Sequence, residues 1–250
     1  MSPLLRAELL RITHRRGSFY GAVGATAALT VIAVLVVLLN DPKGGQQSLS
    51  DITDIGQYVA VFGAIAVGAL AGSYDTANGT MRYLVLTGVP RWRLALVRVP
   101  ALMIALLAAV AVPVVLGLLV GLMVGSDGGP AVTGSDALED VWKVVSAVWI
   151  WGIVSLSVGT LMRSNGPAIA VAMVLFIAGR LITVLIGTEV SKDLAQVLLP
   201  RPADNVVNLS HTSFFDDSVH VSLAGSFVLL AVWLAALLAL AVGRVRRDEY

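Results

Sequence analysis

Along this chain, apolar and polar positions separate into six long apolar runs joined by polar connections. The runs cover approximately 18–39, 55–74, 97–124, 143–162, 167–187 and 221–243. An α-helix rises ~1.5 Å per residue, so a run of about 20 residues crosses a hydrocarbon core ~30 Å thick. The pattern predicts an all-α membrane protein with six transmembrane helices in a single transmembrane domain, 1–250.

Two of the polar connections predict short helices of their own. Ahead of the first run, Ser2 and Pro3 suit an N-cap and first helical position for a helix reaching about Arg16. Leu5, Leu9 and Ile12 share one face of it, and Arg16 falls on the same face. The first reading is an amphipathic helix in the inner headgroup region; an ordinary basic flank is the alternative. Between runs two and three, Thr80 can cap a helix of about two turns, Met81 to Thr87. Gly88 then suits the left-handed stop and Pro90 blocks continuation, with Arg91, Arg93 and Arg98 at the re-entry point. The apolar side of this small helix (Met81, Leu84, Val85) calls for a cover, either a partner protein or the bundle's own end.

Composition agrees with a bilayer as solvent. Apolar residues make up 57%, charged residues 13%, and mean hydropathy is +0.87. There is no cysteine, which excludes disulfides and thiolate metal sites. The first 17 residues are charged and the first apolar run is too long for a signal core, so no cleavable signal is expected. Charge is strongly asymmetric. With the N-terminus in the cytoplasm, the inner segments hold twelve arginines against four basic residues outside (Lys43, Lys143, Lys192, Arg201). Carboxylates run the other way, with Glu8, Asp75, Asp248 and Glu249 inside and the other twelve outside. Both termini are therefore expected in the cytoplasm.

Polar chemistry at membrane depth is sparse. Arg180 lies seven residues from the end of run five, roughly 10 Å below the outer boundary at helical rise. A charge there points to the translocation path or an anionic substrate, or else it snorkels outward to Glu189 or a lipid phosphate. His14, His211 and His220 all lie outside the runs, and Ser155 and Ser157 have no base beside them in sequence. An intrinsic enzyme is not expected, and no cofactor or nucleic-acid partner is implied. Glycines at four-residue spacing (Gly117, Gly121 and Gly125 in run three, Gly68 and Gly72 in run two) predict close helix packing, within one subunit rather than between two. Trp92 and Trp142 sit where interfacial anchors belong, while Trp149, Trp151 and Trp233 read as packing residues.

The connection after run two resembles the membrane subunits of ABC-2 type ABC transporters. That family has six spans, a cytoplasmic amphipathic entry helix, and an acidic-x3-Gly-Thr motif after span 2, followed by a leucine-rich stretch, proline and basic residues. This chain carries Asp75-x3-Gly79-Thr80, Leu84, Leu86, Pro90, Arg91 and Arg93, with aspartate where the family usually has glutamate. Gly159-Thr-Leu-Met-Arg163 is similar to the family's tight turn after span 4. Leu199-Pro-Arg-Pro-Ala203 is similar to its Leu-Pro-x-x-Ala segment before span 6, and Arg246-Arg-Asp248 to its terminus. The resemblance implies a permease subunit of an exporter in a bacterial cytoplasmic membrane. The small helix would be the coupling helix, engaging a separate ATP-binding subunit through Asp75, Gly79, Thr80, Met81, Leu84, Val85, Pro90 and Arg91. A second permease subunit, identical or not, would complete a path between spans 2 and 5 of opposing subunits, and Arg180 is the candidate path residue. Short re-entrant helices would roof that path, with Asp193–Leu199 as one. The chain has no Gly-x4-Gly-Lys-Ser/Thr loop, so ATP hydrolysis belongs to the partner. A non-transporting scaffold or immunity subunit and an ATP-independent carrier are the alternatives; the substrate is not legible.

Overall fold

A computed structural model describes residues 3–14, 16–40, 44–79, 90–162, 164–209 and 221–247. Its helices, in chain order, are α1 (Pro3–Thr13), α2 (Arg16–Leu39), α3 (Gly45–Ala77), α4 (Arg91–Val124), α5 (Gly134–Leu161), α6 (Asn165–Glu189), α7 (Lys192–Val197), α8 (Pro200–Val207) and α9 (Leu223–Arg247). Among the described residues there is no strand. Helices α2 to α6 and α9 are long and apolar enough to cross a membrane, which makes this an all-α multi-pass protein with six spans.

Several helices outrun the apolar stretches that announce them. The helix of span 2 starts at Gly45 rather than near 55, through polar Gln46, Gln47, Ser50 and Asp51. Span 4 starts at Gly134 rather than near 143. There the end is fixed by chemistry instead of hydropathy: Thr133 Oγ1 accepts the Asp136 N–H at 3.3 Å, and Asp136 Oδ2 accepts the Thr133 N–H at 3.0 Å. This reciprocal capping box satisfies two otherwise orphaned donors.

Helices α3 and α5 form the hub. In their most apolar windows 61% and 72% of residues are buried, against 17% in each of α2, α6 and α9, which make the rim. The hub is close because it is built from small residues. Gly68 and Gly72 of α3 lie on the backbone of Gly152, Leu156 and Gly159 in α5, and Gly159 faces Ala69 in return. Ser155 Oγ donates to Gly152 O at 2.9 Å and reaches Ala64 O across the interface at 3.4 Å. Lipid tails are as apolar as leucine, so contact and buried hydrogen bonds, rather than escape from water, hold such helices together. Gly117 and Gly121 of α4 pack on Leu49 and Gly45 of α3, so these repeats serve packing within one subunit. Gly125 ends α4 instead, at φ +60°.

Helix α1 forms, and its apolar face is turned to the bundle: Leu5 and Leu9 pack on the core and Ile12 is buried with them, against α4. The charges Glu8 and Arg11 turn inward as well, and pairing is what makes their burial tolerable. On the opposite end, the expected short helix forms at Lys192–Val197 and a second, Pro200–Val207, follows it. Helix α7 (Lys192–Val197) buries no residue, whereas all eight residues of α8 (Pro200–Val207) are buried. The polar composition of α8 hides this in the sequence; Asp204, Asn205 and the Val206 carbonyl find partners inside the bundle, as described below.

Candidate functional site

At the end of the bundle that carries most of the arginines, three helices meet on one carboxylate. Asp75, near the C-terminus of α3, is 1% exposed. Its Oδ1 accepts from Arg11 Nη2 of α1 and its Oδ2 from Arg98 Nη2 of α4. Glu8 completes the group: its Oε1 accepts from Arg11 Nη1 at 2.8 Å, and its Oε2 lies 3.9 Å from Arg98 Nε. Arg98, itself 3% exposed, also donates from Nη1 to Ala71 O at 3.4 Å. Two carboxylates and two guanidinia make the centre electrically neutral. Burial alone would lower the pKa of Arg11, but Glu8 and Asp75 outweigh it and the net shift is upward. Arg11 therefore stays charged at any working pH. Ser73, two residues before Asp75 and also buried, donates from Oγ to Asn165 Oδ1 at 2.8 Å and ties the same end of α3 to the start of α6.

The expected coupling residues fare unequally. Asp75 is central to this centre. Gly79 is exposed and takes φ +67°, a conformation that favours glycine, with its N–H donating to Thr76 O at 3.3 Å. Pro90 is exposed and opens α4; its carbonyl accepts the N–H groups of Arg93 at 2.9 Å and Leu94 at 3.3 Å. Arg91 is the first residue of α4. Thr80, Met81, Leu84 and Val85, and with them the expected coupling helix, lie outside the described residues. Glu8, Arg11 and Arg98 were not legible as a site. The available signal was the scarcity of carboxylates on an arginine-rich side, which makes each one a natural focus for guanidinia.

The second polar centre lies at the opposite end, around Arg180. The side chain is largely withdrawn from solvent, 16% exposed. It turns into the bundle, with Nη2 3.8 Å from Asp204 Oδ1 of α8, and its guanidinium lies over the rings of Phe176 (4.9 Å) and Tyr58 (5.6 Å). Gln57, Tyr58, Trp151, Phe176, Arg180 and Asp204 contribute to the lining of a cavity of about 10 Å³, at the lower limit for one water molecule. Helix α8 is further fixed by Asn205 Nδ2 donating to Ser226 Oγ of α9 at 3.1 Å and by Trp142 Nε1 donating to Val206 O at 2.9 Å. Trp142 is thus a tie between α5 and α8. Trp233 does the same for α7, donating to Val197 O at 2.7 Å. Replacing Arg180 with methionine should lower stability by about 1–2 kcal/mol, because the buried Asp204 loses a guanidinium 3.8 Å away. The double variant Arg180→Met/Asp204→Asn should lose less than the sum of the singles in thermal unfolding of the purified chain; strict additivity would mean that the two do not interact.

Elsewhere, Thr53 Oγ1 donates to Asp140 Oδ1 at 3.2 Å and Lys143 pairs with Asp54, joining α3 to α5 beneath the capping box. Among the described residues no group of three or more His, Cys, Asp or Glu side chains could hold a metal ion. No protein-family model and no curated protein matches this chain.

Proposed function

We propose that this chain is the membrane-spanning permease subunit of an ABC-2 type exporter in a bacterial cytoplasmic membrane, with both termini inside. The observation that carries the reading is the Asp75–Arg98 pair. It joins the two roots of the segment 80–89, which in the resembling family seats on the ATP-binding subunit. A loop that only returned the chain to the membrane has no need of a buried ion pair at its base, since ordering buried charges costs desolvation that packed apolar residues avoid. A soluble ATP-binding subunit docks on residues 80–89, and ATP-driven closure of its dimer moves this segment against the bundle. A second permease subunit, identical or homologous, faces spans 2 and 5. On that side Tyr58, Phe62, Ile177 and Leu181 are exposed, and the same two helices line the Arg180 cavity together with α5 and α8.

The test is capture of the tagged chain from its native membranes in mild detergent. A soluble protein with ATPase activity is expected in stoichiometric amount, and it should be lost when Met81, Leu84 and Val85 are changed to aspartate. Capture of the folded chain alone, under conditions that keep a known ABC complex together, would overturn the reading in favour of a scaffold or immunity subunit or an ATP-independent carrier.

A further inference from the structure

We infer that the cavity beside Arg180 is a water-binding site. One ordered water is held there by the Gln57 amide, the Trp151 indole and the Arg180–Asp204 pair, and it joins α3 and α5 to α6 and α8. The site follows from the bundle's own geometry and is independent of the permease reading.

Three observations converge on it. Gln57 of α3 is 7% exposed, and among the described residues its side-chain amide has no hydrogen-bond partner. Trp151 of α5 is 2% exposed, and its indole N–H donates to no described residue either. The other tryptophans of the bundle behave differently: Trp142, Trp149 and Trp233 each donate to a backbone carbonyl of a neighbouring helix. A buried amide or indole left without a partner costs about 1–3 kcal/mol, so two of them in one place call for a shared one. Both residues line the same cavity of about 10 Å³. The third observation is the spacing of the ion pair on the cavity's other side. Arg180 Nη2 and Asp204 Oδ1 stand 3.8 Å apart, too far for a direct hydrogen bond and a distance at which a bridging water is the usual link.

The lining selects the occupant. A cation would meet the Arg180 guanidinium and an anion the Asp204 carboxylate, and both lie in the same wall. An organic molecule does not fit the volume. A water does, and its chemistry matches: it accepts from Trp151 Nε1 and Arg180 and donates to Asp204 and the Gln57 carbonyl, within the two to four polar partners that buried waters keep. Cavities that stay dry are apolar, and this one is not. The consequence is a hydrogen-bonded link from the hub helices to the buried α8, made where α3 and α8 have no direct hydrogen bond among the described residues.

X-ray radiolysis of the purified chain in lipid nanodiscs tests the site, because a bound water yields hydroxyl radicals in place and these oxidise the nearest side chain. Phe176 lines the cavity at 4% exposed, and Phe19, 7% exposed in α2, lies away from it. Phe176 should be hydroxylated several-fold faster than Phe19, and Gln57→Met should bring the two rates together. Equal rates in the parent chain would overturn the site, and that comparison needs no variant to fold. Fast labelling of Phe176 that Gln57→Met leaves unchanged, in a variant whose thermal midpoint shows it folded, would overturn the assignment of the amide as a ligand. The link to α8 has its own readout. In thermal unfolding, Gln57→Met/Asp204→Asn should lose less than the sum of its single variants, and strict additivity would overturn the bridge.

Discussion

Asp75→Leu is expected to be the most damaging single replacement at the arginine-rich end of the bundle, lowering stability by about 3–5 kcal/mol, the range for breaking a buried ion pair from one side. The loss comes less from the bonds removed than from the charge left behind. Arg98 is 3% exposed and, among the described residues, would retain only the Ala71 carbonyl at 3.4 Å and Glu8 at 3.9 Å. Arg11, partly exposed, can move to water. The double variant Asp75→Leu/Arg98→Met removes the stranded charge and should recover much of the loss, because an apolar pair of similar volume replaces a buried ion pair at little net cost. Thermal unfolding of the purified chain in detergent reads both. If the double variant were as unstable as the sum of the singles, the pair would not be the unit proposed. Recovered stability combined with lost ATPase capture would separate the two uses of the centre, since folding then no longer needs the charges and docking still does.

What the sequence discloses about this protein, and what it withholds, divides along physical lines. The six spans are legible because a bilayer imposes a length and a composition on any helix that crosses it. The ends of the helices are not, because backbone hydrogen bonding carries α3 through Gln46, Gln47 and Ser50 and a capping box starts α5 at Gly134, outside the reach of any hydropathy window. Helix α8 is the clearest failure. Pro200-Arg-Pro-Ala-Asp-Asn205 has the composition of an exposed loop, yet every residue of the helix is buried, because Arg180, Ser226 and Trp142 supply partners from three other helices. Partners that far apart in sequence exist only once the bundle has packed. The same holds for Asp75: its motif marks it, but Arg11 and Arg98 stand 64 residues before it and 23 after it. Arg180 was legible as unusual from its depth alone, whereas its turn toward Asp204 depended on a helix that the sequence did not announce.

The hub should be as intolerant of bulk as the ionic centre is of lost charge. Gly72→Ala is expected to cost about 3 kcal/mol, at the upper end for overpacking, because the new Cβ would collide with Leu156 O and lie 2.6 Å from Thr160 N and 2.9 Å from Gly159 C. All three are backbone atoms of α5, so no side-chain rotation relieves the clash and the two helices must separate. Separation would also pull Ser155 Oγ away from Ala64 O. Gly24→Ala in α2 is the matched control: its Cβ meets nothing within 4 Å, so only helix propensity acts and stability should hold or rise slightly. A Gly72→Ala midpoint equal to that of Gly24→Ala in thermal unfolding would show that α3 and α5 are not locked as described. The distinction bears on the proposed transport role. Helices that pack backbone to backbone shift as one body, so a displacement delivered at the foot of α3 would carry α5 with it. For the permease proposed above, the freedom for an inward-to-outward transition would then lie in the rim, where α2, α6 and α9 bury least, and in the contacts of α6 and α9 with the buried α8.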